Sequence, residues 1–78
     1  MSNNVEQAKF RKFTPVDREY PIFELVVDEG EVLLDIGATD EGVIEVAIHE
    51  AASNKIFRLE RLLEFMCQGK RLLENEML

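Results

Sequence analysis

The stretch "VVDEGEVLLDIGATDEGVIEVAIHE", Val26 to Glu50, holds eight Asp or Glu residues and no Lys or Arg. Its apolar residues recur at every second position, which is the repeat of a strand with one face buried. In "EVLLDIG", Val32, Leu34 and Ile36 oppose Glu31, Leu33 and Asp35; in "VIEVAIH", Ile44, Val46 and Ile48 oppose Val43, Glu45, Ala47 and His49. Just upstream, "PIFELVVD" from Pro21 to Asp28 sets Phe23, Leu25 and Val27 against Ile22, Glu24 and Val26. Three half-buried strands follow. "DEGE" joins the first two through Gly30, which tolerates a positive φ, and "GATDEG" is a longer hairpin loop bracketed by Gly37 and Gly42. Connections this short predict an antiparallel meander.

Downstream the period changes. From Leu59 or Glu60 onward, Leu59, Leu62, Leu63, Phe65, Met66, Leu72, Leu73 and Met77 cover one arc of a helix; Arg61, Glu64, Gln68, Arg71 and Asn75 cover the other. Gly69 falls inside the apolar arc, where it predicts close approach of helix to sheet. Cys67, the sole cysteine, is expected to be a buried small apolar residue. The run "KIFRL", Lys55 to Leu59, reads as a short fourth strand with Arg58 pointing outward near Glu45 or Ala47, or else as the opening of the helix behind a Ser53 cap. The fold expected is α+β: a three- or four-stranded antiparallel β-meander followed by one C-terminal amphipathic helix packed on one sheet face. Its 78 residues suit one domain, assigned to 21–78.

Residues 1–20 are read as a flexible or partly ordered N-terminal arm, since Pro15 and Pro21 exclude a long helix. Phe10, Phe13 and Tyr20 alternate there with Lys9, Arg11, Lys12 and Arg18, so the arm is expected to lie against the acidic strands and supply counter-charge.

Charge is distributed unevenly. Residues 1–20 carry +1, residues 21–54 carry −9 and residues 55–78 carry +1, so the middle segment accounts for the net −7. Two near-neutral flanks around a wholly acidic centre argue against binding to a phosphate backbone, and nucleic acid is not an expected partner. Apolar runs reach only three residues, far short of the roughly 20 of a membrane helix. With no apolar leader-like segment and a single Cys, the expected location is the cytoplasm.

No catalytic or metal-binding motif is complete in the sequence. "HEAAS" begins like the zinc-protease pattern, but Ser53 stands where a second His is required and His49 is the only histidine. "DIGATDEG" lacks the ligand spacing of a calcium-binding helix-loop-helix. No Ser or Cys has a His base nearby, there is no phosphate-cradling glycine loop, and no cofactor is implied. An enzyme is not expected.

What remains is a surface. Matching Leu25 to Leu34 and Val27 to Val32, then Leu34 to Val46 and Val32 to Ile48, places Glu24, Asp35 and Glu45 in one row and Glu31 opposite His49. Like charges directly opposite one another cost a few tenths to about 1 kcal/mol, so folding alone does not favour such a row. Ile22, Val26, Leu33, Val43 and Ala47 on the same face add apolar area that invites a cover. The expected partner-binding residues are therefore Glu24, Val26, Glu31, Leu33, Asp35, Glu45 and His49. The expected function is a small acidic, non-enzymatic protein-binding module for a basic protein, of the inhibitor or immunity type. The alternative is a structural homodimer whose acidic face is only solvated, and the third reading is a weak divalent-cation site on the carboxylate row.

Overall fold

The structure, a computed structural model, describes residues 4–28 and 30–78. Residues 1–3 of the expected arm and Glu29 of the expected "DEGE" turn lie outside the described residues. A 3-10 turn at Asn4–Gln7 leads into four strands, β1 (Lys9–Phe13), β2 (Ile22–Val27), β3 (Glu31–Ala38) and β4 (Ile44–Ile48). A second 3-10 turn, Glu50–Ala52, precedes the single helix α1 (Leu59–Glu76). The sheet is an antiparallel meander in the order β1-β2-β3-β4. The α+β class and the C-terminal helix are as the periodicity predicts.

The fourth strand, however, comes from the first twenty residues. β1 pairs with β2 through Phe10↔Leu25 and Arg11↔Glu24, so this part of the expected arm is a sheet edge. Val5 and Ala8 are buried in the core. Lys55–Arg58 forms no strand, and α1 starts at Leu59. The basic residues conceal β1: on an edge strand only one apolar side chain in two need meet the core, and here Phe10 alone does so while Lys9, Arg11 and Lys12 flank it.

Phe23, Leu25 and Val27 of β2 join Leu34, Ile36 and Ala38 of β3 on the inner face, under Phe65 and Leu73 of α1. Gly69 marks the closest approach. A Cβ there would collide with Ile36 Cδ1 and lie 2.9 Å from Phe10 Cζ. Phe10 meets Phe65 edge-on, with ring centroids 6.4 Å apart at 79°, a favourable arrangement of the ring quadrupoles. Cys67 is exposed rather than buried. Two residues past Phe65, it has turned about 200° round the helix to the solvent side.

The triplet Asp-Glu-Gly occurs twice in the sequence, at 28–30 and 40–42. Gly30 has φ +99° and Gly42 φ +86°, the left-handed conformation that favours glycine. The pairing of β2 with β3 carries an irregularity. Leu25 faces Leu34 but Val26 faces Val32, leaving Leu33 as an extra residue in β3. Such a bulge turns two successive side chains to one side, so Leu33 and Leu34 are both buried. The expected match of Val27 to Val32, and of Leu33 to the outer face, fails for this reason; Val27 pairs with Glu31.

Candidate protein-binding surfaces

On the outer face, the row running across β1, β2, β3 and β4 reads Arg11, Glu24, Asp35, Ala47. The pairing of Glu24 with Asp35 is as expected; that of Asp35 with Glu45 is not. β3 and β4 pair two residues further along, with Leu34↔Ile48, Ile36↔Val46 and Gly37↔Glu45. A slip of two keeps every apolar side chain on its face, so alternation cannot detect it. The hairpin decides instead. Thr39 N–H donates to Val43 O at 2.9 Å, Gly42 N–H to Thr39 O at 2.9 Å and Val43 N–H to Thr39 Oγ1 at 3.1 Å.

This register removes the carboxylate row and supplies cations. Arg11 Nη2 and Nε donate to Glu24 Oε1 at 2.8 and 3.1 Å, so β1 provides the counter-charge predicted of the arm. Asp35 Oδ2 lies 2.7 Å from His49 Nε2, diagonally across the ladder; the expected partner of His49, Glu31, faces Val27 and lies 3.7 Å from Lys55 Nζ. Arg18 Nη2 donates to Ala38 O at 2.9 Å and borders the same shallow depression as Asp35 and Glu45. Val26 is half-buried and Leu33 lies in the core. Of the seven residues expected to bind a partner, Leu33 is therefore inaccessible, and Glu24 and Asp35 are already bonded. Glu41 and Glu45 have no cation within ion-pairing distance among the described residues. Among those residues no three His, Cys, Asp or Glu side chains converge as a cation's ligands would.

At the β1–β2 connection, Tyr20 shares a hydrogen bond with Glu19. That bond and the Glu19 charge push the phenol above its ordinary pKa, with burial and Asp40 adding to the effect. The loop before β2 and the tip of the β3–β4 hairpin therefore gather negative charge at one end of the sheet.

A second surface was not expected from the sequence. Val46 and Ile48 point to the inner face, as their partners Ile36 and Leu34 do, yet they are 44% and 66% exposed. Strands about 4.8 Å apart make this sheet about 15–19 Å wide, and one helix with its side chains is about 10–12 Å across. One helix cannot cover four strands. α1 lies on β2 and β3; one flank, with Arg61, Gln68 and Leu72, borders the Glu6–Phe10 segment. Leu59 and Leu63 project from the opposite flank, on the β4 side, 69% and 54% exposed. The heptad-like arc that placed them in the core was too wide for the sheet they meet. Among the described residues no helix is long and apolar enough to cross a membrane.

No protein-family model, curated protein or solved structure matches this chain.

Proposed function

We propose that the chain is a non-enzymatic protein-association domain working through the β4 edge and the adjoining flank of α1. The observation that carries this reading is the unguarded edge itself. β4 bears Val46 and Ile48 exposed, as Leu59 and Leu63 of α1 are, and it has no Pro, Lys or bulge, three of the devices that ordinarily keep an edge from pairing. β1, at the other edge, carries Lys9, Arg11 and Lys12. Edges of this kind take up an added strand from a partner, with backbone hydrogen bonds giving affinity and alternate side chains giving selectivity. The non-enzymatic part of the reading is supported by the distribution of reactive groups: the single His49 is bonded to Asp35, and the single Cys67 stands on the solvent side of α1. The proposed setting is the cytoplasm, where an exposed thiol stays reduced.

A photoreactive benzoylphenylalanine in place of Ile48, compared with one in place of Arg71 on the far side of α1, tests the reading in the cells that make the protein. The expected result is a discrete cross-linked product from position 48 and none from 71. Equal labelling from both positions, or none from either, would overturn it.

A second reading keeps the basic partner on the acidic side of the molecule. Its specific support is that Glu41 and Glu45 lack cations among the described residues in a chain of net charge −7. Binding of that kind is steered by charge and weakens as salt rises. A basic protein bound by the wild type and released by the folded Glu24→Gln, Asp35→Asn, Glu45→Gln variant supports it; equal binding by both contradicts it.

A further inference from the structure

We infer that β4 pairs antiparallel with β4 of a second copy of this chain, centred on Val46, so that two four-stranded sheets become one across a two-fold axis. The inference rests on the reading of β4 as an association edge and names its occupant.

Hydrogen-bond phase comes first. His49 N–H donates to Leu33 O at 2.8 Å, and Thr39 N–H to Val43 O at 2.9 Å. In an antiparallel ladder the bonded pairs alternate, so the odd-numbered residues of β4 face β3. The N–H and C=O groups of Ile44, Val46 and Ile48 therefore face the open edge, beyond which the sheet has no strand among the described residues. Side-chain pattern comes second. "IEVAI", Ile44–Ile48, reads apolar at both ends and at its centre. Pairing through the free groups with Val46 opposite Val46 sets Ile44 against Ile48 and makes about six backbone hydrogen bonds. All of these side chains lie on the inner face, so each exposed Ile48 gains an Ile44 of the other copy beside it.

Charge comes third. The same register sets Glu45 opposite Ala47 of the other copy, so two carboxylates never stand directly opposite each other. Arg18, bordering the depression that Glu45 also lines, offers a cation on that side. A foreign strand would need a matching pattern; a second copy of this chain has it by symmetry, which is what a two-fold interface requires.

The test uses sedimentation velocity over a concentration series. The wild type is expected to reach twice the 9.0 kDa chain mass, and Val46→Lys to raise the dissociation constant by at least about a hundredfold, because an inward-pointing lysine blocks edge pairing. Circular dichroism verifies that the variant is folded. Register is read separately in a Cys67→Ser background. Val46→Cys is expected to form a cross-linked dimer on mild oxidation, since directly opposite bonded residues have Cα atoms about 5.5 Å apart, within the roughly 4.4–6.8 Å a disulfide spans. Ile48→Cys is expected to form none, its equivalent lying roughly 14 Å away. A wild type monomeric throughout, a fully dimeric Val46→Lys, or equal cross-linking of the two cysteine variants would overturn the inference. If the purified chain is monomeric while the probe at position 48 captures a different protein, the inference fails and the association reading stands. No capture at all overturns both.

Discussion

Gly69 and Tyr20 show how far single residues carry the structure. At Gly69 the helix backbone lies against Ile36 and Phe10, and Ile36 is buried with little room to turn aside. Ala in a helix gains about 1 kcal/mol over Gly in propensity, but overpacking a filled core costs about 1–3 kcal/mol. Gly69→Ala is therefore expected to destabilise the fold by about 1 kcal/mol, lowering the melting temperature by about 4–8 °C; a rise would mean that the contact relaxes freely. Tyr20 is the only tyrosine, so its ionisation can be followed directly by absorbance near 295 nm. The phenol is held above the ordinary value of 10.0 by Glu19. A folded-state pKa raised above the unfolded one means that the contribution is complete below the unfolded value and is lost as pH rises through the folded one. The titration midpoint is expected above 10 and nearer to it in Glu19→Gln; the stabilising contribution of Tyr20 is expected to disappear in that same alkaline range.

Among the elements, β3 is the most telling, because its bulge buries a residue that strict alternation puts outside. Leu33→Ala is expected to cost about 2–5 kcal/mol as a core truncation, read from urea unfolding. Were Leu33 on the solvent face, the change would stay within about 0.5 kcal/mol. β2, β3, β4 and α1 are legible in the sequence because their faces are amphipathic at periods of two and 3.6. β1 is hidden by its edge position, and the β3–β4 register by a slip that leaves the apolar pattern intact. In physical terms, periodicity reports which face a residue occupies. It does not report which residue stands opposite, and the candidate carboxylate row depended on that. The exposed inner face of β4 was legible in principle from widths alone, one helix against four strands.

For the molecule as a whole, the two readings of its surface respond to salt in opposite senses. Two chains of net charge −7 repel, and screening reduces that repulsion while leaving apolar contacts and backbone hydrogen bonds in place. Self-association through β4 is therefore expected to strengthen as NaCl is raised from about 0.05 to about 0.5 M, whereas a complex of an acidic face with a basic partner weakens over that range. Sedimentation at several salt concentrations separates the two. A dimer that tightens with salt also predicts a melting temperature that rises with protein concentration.

The central claim is that the free groups of Ile44, Val46 and Ile48 are paired. Residue-resolved amide hydrogen exchange reads those three N–H groups individually and reports local opening rather than average shape. The prediction is protection at all three that increases with protein concentration and is lost in Val46→Lys, while Leu25 and Leu34 in the core stay protected in both. Unprotected amides at Ile44, Val46 and Ile48 at every concentration, in a chain whose core is protected, would contradict it.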